Sequence, residues 1–337
     1  MTAVQTGQEV LVTGGGGFLG GAIVRHLLDA GFRVRSFARG DYPDLAALGV
    51  TVIRGDLADQ KAVEAACAGC SVVFHNAARA GVWGDYEAFR RPNVLGTLHV
   101  LRACHASGVE RLVYTSSASV VFGDRDIEGG DESLPYPDRP RSPYTATKAE
   151  AERMVLAANR PTCKTLSLRP HLIWGPGDTQ IIPRILAMAR DGKVRRVGHG
   201  KNRVDTTYID NAAEAHLLAA AALDRNPRAA GRAYFISNGE PVNLWELIDT
   251  ILKLAGIPPI SGSIPKGLAV GLGTVLETVH RALKRPGEPR MTRFLAEELA
   301  TTHWFDISAA RRDLGYVPAV SMEEGLRRLG LTLASAS

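Results

Sequence analysis

The chain has 337 residues, 45% hydrophobic and 22% charged, a composition that supports one large or two modest globular domains with a sizeable core. Forty Lys and Arg against 35 Asp and Glu leave a net charge of +5, well short of the concentrated basic patch that nucleic-acid binding needs. The four cysteines, at 67, 70, 104 and 163, are too few to staple a chain of this length, so a disulfide-rich secreted fold is excluded as well.

Residues 1–8 are polar and carry no secretory pattern, so cytoplasmic residence is expected. Residues 9–13 read as a short buried strand that runs into Gly14-Gly15-Gly16-Gly17-Phe18-Leu19-Gly20. Leu19, Ile23 and Leu27 then recur at helical spacing until Gly31, and 32–38 read as a second strand. Strand, glycine turn, helix and strand make a βαβ unit, the context in which such a turn holds a dinucleotide pyrophosphate on backbone N–H groups and a helix N-terminus. Enzymes that prefer NAD place an acid at the end of the second strand, to bind the ribose 2′-hydroxyl. Here that place falls near Ala38, with Arg39 next and no acid in 35–40, which points to NADP(H).

The alternation continues through strands at 51–55, 72–75, 111–115 and 164–169, with helices at 59–68 and 86–107, the latter interrupted early by Pro92. Cys67-Ala68-Gly69-Cys70 has metal or redox spacing, but no second pair or histidine cluster completes a site, so it reads as apolar filler and no metal is expected. Repeated βα units predict an α/β protein with a doubly wound parallel sheet. Gly14, Asp56, Ala77, Ser117 and Pro170 all fall at the carboxyl ends of its strands, where ligands bind.

Ser142-Pro143-Tyr144-Thr145-Ala146-Thr147-Lys148 opens a further helix, with Ser142 as N-cap and proline in the first turn. Tyr144 and Lys148 are four apart and share one helix face. A neighbouring ammonium favours the phenolate and would bring tyrosine into a useful acid–base range. After Arg169 the texture changes. Turn formers in 170–178, a helix at 181–190 and a basic stretch at 195–203 lead to one return to the sheet domain at 204–232. The expected division is a dinucleotide-binding domain over 1–170 with 204–232, and a smaller substrate domain over 171–203 and 233–337. Residues 267–283 are apolar but too short and too polar to span a membrane. Core packing, the wall of a greasy tunnel, and weak contact with a membrane or another enzyme of the pathway all stay open for them.

These motifs together resemble the extended short-chain dehydrogenases/reductases. The resemblance rests on the glycine turn, Gly55-Asp56-Leu57, His75-Asn76-Ala77-Ala78, Asn93-Val94-Leu95-Gly96-Thr97, Tyr114-Thr115-Ser116-Ser117, Tyr144 to Lys148, Arg169-Pro170 and Gly175-Pro176-Gly177-Asp178. Ser116 to Phe122 look like the 3β-hydroxysteroid dehydrogenase branch. Val121-Phe122-Gly123 departs from the Val-Tyr-Gly of many sugar-nucleotide epimerases. Arg169 to Asp178 and Gly81-Val82-Trp83-Gly84 are most similar to bacterial members that reduce 2-alkyl-3-oxoalkanoic acids with NADPH.

The resemblance implies Tyr144 as general acid/base, Lys148 as its helper and ribose ligand, Ser117 as holder of the substrate oxygen, and Asn93 as support for the proton path or the fold. Gly14, Gly17 and Gly20, with Phe18 and Leu19, would cradle the pyrophosphate. Asp56 and Leu57 would border the adenine, and Ala77 would lie against a ribose. Pro170 belongs to the same cofactor set, and Arg39 would meet the 2′-phosphate. Arg141, His171, Lys201 and Arg203 are candidate partners for a substrate carboxylate. The implied partner is a lipid-like carbonyl compound, and a homodimer is expected through the helix ahead of Ser107 and the Tyr144 helix. Steroid or sterol 3β-dehydrogenation and non-catalytic NADP sensing are the alternative functions.

Overall fold

A computed structural model describes residues 7–123, 125–192, 194–285 and 287–335. Part of the polar opening stretch, residues 1–6, lies outside them. Seven strands form the central sheet: β1 (Glu9–Thr13), β2 (Arg33–Ala38), β3 (Thr51–Arg54), β4 (Val72–His75), β5 (Arg111–Thr115), β6 (Lys164–Pro170) and β7 (Ala233–Ile236). They are all parallel and lie in the order β7-β6-β5-β4-β1-β2-β3. Every residue of β4 and β5 is buried, as expected of strands covered by helices on both faces. The expected doubly wound sheet is therefore present. Its order reverses between β1 and β4, and a crevice at the carboxyl ends of these strands is the natural ligand site.

The helix Phe18–Asp29 buries Leu19, Ile23, Val24 and Leu27, and packs beside Ile209–Arg225, whose alanine face allows close approach. The long helix at 86–107 is broken as Pro92 suggested. Tyr86–Arg90 passes through a π-helical turn, Arg91–Leu95, into Gly96–Ala106. Proline has no N–H to donate, so the local ladder rearranges, and Asn93 sits within the widened turn.

Three segments depart from the expected plan. The last sheet strand, Ala233–Ile236, was placed in the substrate domain, yet it pairs with β6 from Ala233↔Ser167 to Ile236↔Pro170. The division at 233 therefore falls one strand early. The return at 204–232 brings only its helix to the sheet, because Thr207–Tyr208 pairs instead with Ile173–Trp174. Ile127–Gly130, within the first 170 residues, crosses over to pair with His303–Phe305, which also meets Arg203–Val204. This second lobe is completed by helices Ile181–Arg190, Leu244–Leu254, Lys266–Ala282 and Arg293–Ala300. Among the described residues no helix is long and apolar enough to cross a membrane.

Candidate active site

A cleft of about 2440 Å³ runs from the glycine turn, past the ends of β4 and β5, into the second lobe. Gly14 stands at φ +73°, and a Cβ on it would lie 3.0 Å from the Ala77 Cα. On Gly20 a Cβ would come within 2.0 Å of the Gly14 carbonyl oxygen. Only glycine allows the turn to close this tightly. Gly17 is the N-cap of Phe18–Asp29 and offers no side chain, so the unpaired N–H groups of the first turn are left open beside Phe18 and Leu19, which line the cleft. An uncapped helix N-terminus behind a glycine turn fits an anionic pyrophosphate. Asp56, Leu57, Ala77 and Pro170 line the same cleft, whereas Gly20 acts behind it through the turn. Arg39 is exposed at the cleft edge, and its side chain makes no hydrogen bond or ion pair among the described residues. Nearby, Arg54 donates to the Arg39 carbonyl and pairs loosely with Asp41 at 3.5 Å.

The helix Pro143–Ala157 starts at a capping box, in which Ser142 Oγ accepts from Thr145 N and Thr145 Oγ1 accepts from Ser142 N. One turn on, the Lys148 ammonium is buried, donates to the Thr115 carbonyl at 2.5 Å and lies 4.2 Å from the centre of the Tyr114 ring. Burial pulls Lys148 down to about 7, with the Glu152 charge opposing. Tyr144 is half-buried, and its phenol is raised by burial and by the Glu298 charge while a hydrogen bond with Ser117 lowers it. Lys148 is thus held by the end of β5, and burial dominates the tyrosine's titration, with Ser117 and Glu298 acting on it in opposite senses. Ser117, the N-cap of a short 3₁₀ turn, also accepts from Ser119 N at 3.2 Å and meets Ser119 Oγ at 2.9 Å.

Asn93 is buried and lies outside the cleft lining. It grips the Arg79 backbone at both polar atoms, 2.7 and 3.1 Å, and donates to Thr147 Oγ1 at 3.1 Å. It therefore ties the loop after β4 to the Tyr144 helix. Motif reading passed over a second chain of bonds behind it. Thr97 donates to the Asn93 carbonyl and receives His75 Nε2 at 2.9 Å, which leaves His75 Nδ1 to accept from Thr13 Oγ1 at 2.8 Å. Thr13 Oγ1 in turn accepts from Ala77 N. Burial, with Lys148 nearby, depresses His75 to about 3 and keeps it neutral in this single tautomer. Below the same helix turn, Glu152 is held by Arg169 at 2.7 Å, Tyr136 at 2.7 Å and Ser167 at 2.8 Å. Burial pushes its carboxyl up, but the Arg169 pair outweighs this and the net shift is downward.

The far wall is mainly apolar, with Arg184, Arg195, Glu288 and Arg290 also in its lining. Ile185, Met188, Trp245, Ile248, Leu276 and Leu299 line it, and they come from four different helices. Glu298 faces the cleft on this side, and burial raises its carboxyl to about 8. No sequence motif marked it. Of the four candidate carboxylate partners, Lys201 and Arg203 lie outside the cleft, and Arg203 bonds the Pro241 carbonyl. Arg141 pairs with Glu297 at 3.5 Å beside a small side cavity. His171 lines the cleft but is buried, with Nδ1 2.6 Å from Asp205. All four cysteines are buried and free, and no metal-binding cluster occurs among the described residues.

The 3-beta hydroxysteroid dehydrogenase/isomerase family profile matches residues 11–265. The chain belongs to this family. It is an oxidoreductase of the extended short-chain dehydrogenase/reductase type. A 2-alkyl-3-oxoalkanoate reductase of Stenotrophomonas maltophilia is 51% identical over 97% of this chain and 100% of its own. A protein of the same name from Shewanella oneidensis is 49% identical over 96% of this chain and 86% of its own. The mouse sterol-4-alpha-carboxylate 3-dehydrogenase, decarboxylating, is 35% identical over 96% and 91%. Among solved structures, MoeE5 in complex with UDP-glucose and NAD superposes with a TM-score of 0.75 at 28% identity, covering 97% of this chain and 99% of that one.

Proposed function

We propose that this family member reduces the 3-keto group of a 2-alkyl-3-oxoalkanoic acid to the 3-hydroxy acid, with NADP(H) as cofactor. The observation that carries the reading is the placing of Ser117, Tyr144 and Lys148 on one wall of a cleft, with the glycine turn at one end and an apolar lobe at the other. The two relatives near 50% identity over almost the whole chain carry the name of this activity. When bound, the nicotinamide supplies the hydride. Gly14, Gly17, Phe18 and Leu19 would hold the pyrophosphate, and Lys148 would bond the nearer ribose. The exposed Arg39 would meet a 2′-phosphate, and the absence of any acid in 35–40 removes the group that favours NAD.

The chain's own chemistry is proton handling. Tyr144 donates its hydroxyl proton to the substrate oxygen as negative charge develops there. Ser117 donates a hydrogen bond to the same oxygen. A phenol raised by burial stays protonated at neutral pH, the state a reductase needs before each turnover. Lys148 then favours the phenolate left behind.

The mycobacterial 3 beta-hydroxysteroid dehydrogenase, 38% identical over 94% of this chain, keeps sterol oxidation as the alternative substrate reading. A non-catalytic NADP sensor fits less well, because Ser117, Tyr144 and Lys148 are all present around the cleft. Following NADPH absorbance with 2-alkyl-3-oxo acids beside 3-ketosteroids decides among them. Turnover of the oxo acids alone supports the proposal, turnover of steroids alone replaces it, and no turnover of either overturns it.

A further inference from the structure

Each reduction takes a proton from Tyr144, so the phenolate left behind must regain one before the next turnover. With cofactor and an alkyl chain filling the cleft, solvent at the mouth is cut off from that oxygen. Asn93 offers no path, since both polar atoms of its side chain are bonded and it lies outside the cleft lining. Lys148 opens on the cleft alone, with its ammonium on the Thr115 carbonyl. Glu298 is placed differently. Together with Phe294 and His303 it lines both the cleft and the small side cavity, whose rim includes the exposed Gly123 and Arg125. That cavity measures about 20 Å³, room for about one water.

Neighbouring bonds hold Glu298 in this position. The ion pair of Arg141 with Glu297, at 3.5 Å, ties the start of the Tyr144 helix to the helix Arg293–Ala300, and the Glu298 charge acts on Tyr144. His303 Nε2 donates to the Glu298 backbone carbonyl at 3.0 Å, which leaves Nδ1 as an acceptor. His303 is 4% exposed, and its Nδ1 finds no hydrogen-bond partner among the described residues. Burial and the neighbouring His171 hold His303 down to about 4, so it stays neutral and accepting. Burial also leaves the Glu298 carboxyl mostly protonated at pH 7. An orphaned acceptor and an acid thus border one water-sized cavity behind the reacting tyrosine. We propose that Glu298 returns the proton to Tyr144 after each reduction and is refilled from solvent through the side cavity. This rests on the reading of Tyr144 as proton donor to a carbonyl substrate. The Glu298 O–H bond breaks as the Tyr144 O–H bond re-forms. The Glu298 carboxylate then takes a proton relayed by a water held on His303 Nδ1. The net is one solvent proton per turnover, with no change of oxidation state. Tyr144, His303, His171 and the Arg141–Glu297 pair are the titratable and charged groups around this path.

The test separates the first turnover from later ones in Glu298→Gln, at pH 7 with NADPH-loaded enzyme. Wild type is first mixed with a 2-alkyl-3-oxo acid and with a 3-ketosteroid. If it oxidises NADPH with neither, the functional reading and this inference fall together; the variants then bear on the inference alone. In stopped-flow absorbance the first hydride transfer of Glu298→Gln should slow by less than about twofold, because Tyr144 starts protonated. Its steady-state kcat should fall by about tenfold or more. Added imidazole, which carries protons near this pH, should raise the variant's kcat with concentration and leave wild type unmoved. Glu298→Asp keeps the acid and should hold kcat within about threefold of wild type. An unchanged kcat in Glu298→Gln overturns the proposal. So does a first turnover slowed as much as kcat, or a kcat that ignores imidazole, since either assigns Glu298 to shaping the cleft.

Discussion

On the sheet side of the cleft the polar groups are fixed by backbone and buried bonds. Gly14 and Gly20 shape the turn, the Thr115 carbonyl holds Lys148, and Asn93 and Glu152 tie the Tyr144 helix to its neighbours. On the lobe side the wall is assembled from apolar faces of four helices, and Glu298, with its raised carboxyl, is a polar group brought there without any motif to mark it. The contrast assigns two jobs. On the proposed reading, chemistry and cofactor binding need sub-ångström placement and would fall to strand ends and buried networks, whereas choosing a lipid-like substrate would need area and shape, which many sequences supply.

If that division holds, damage to the sheet side should be large and damage to the lobe side graded. Glu152→Ala leaves the Arg169 guanidinium buried without its partner and should destabilise the fold by about 3–5 kcal/mol in denaturant unfolding. Lys148→Met should act in the opposite sense on stability. Lys148 releases its proton near 7 when folded but at its ordinary 10.5 when unfolded. Between these values the unfolded chain binds more protons, so wild-type stability from this group rises as pH climbs through the window. Without cofactor the variant should be more stable by about 2 kcal/mol at pH 7, and the advantage should fade towards pH 10.5. Activity should be lost in the same variant. Both outcomes together would mark Lys148 as a residue that costs stability where it stands and serves the reaction.

The sheet side was legible because glycine turns, caps and buried strands follow local rules. The glycine turn, the Ser142 cap and the Pro92 break lie where the spacing puts them. The lobe was less so, since Ile127–Gly130 and His303–Phe305 are about 175 residues apart and short strands pair through tertiary context alone. The same limit hid the return of Ala233–Ile236 to the sheet edge. The buried bonds of His75 and the place of Glu298 escaped for a related reason: their environments come from residues far away in sequence, Thr13 and Thr97 for the one and Tyr144 for the other. Lys201 and Arg203 looked available as charges, but the fold carries them away from the cleft.

Smaller effects test the edges of the comparison. Arg39→Ala should weaken NADPH binding about tenfold while leaving NADH nearly unchanged, as read by fluorescence titration with each cofactor. Equal losses for both would remove Arg39 from cofactor choice. Glu298→Gln removes a charge that forms above about pH 8 and raises the Tyr144 phenol. The alkaline limb of the pH profile for reduction should therefore move to lower pH in this variant, by less than about one unit. An unmoved limb would place Glu298 outside the proton chemistry.

The most direct test combines binding and turnover in Tyr144→Phe. NADPH binding should stay within a few-fold of wild type, because the glycine turn, Arg39 and Lys148 are untouched. Reduction of a 2-alkyl-3-oxo acid should fall by about 10²- to 10⁴-fold. Full turnover in this variant would contradict the assignment of Tyr144 as the proton donor.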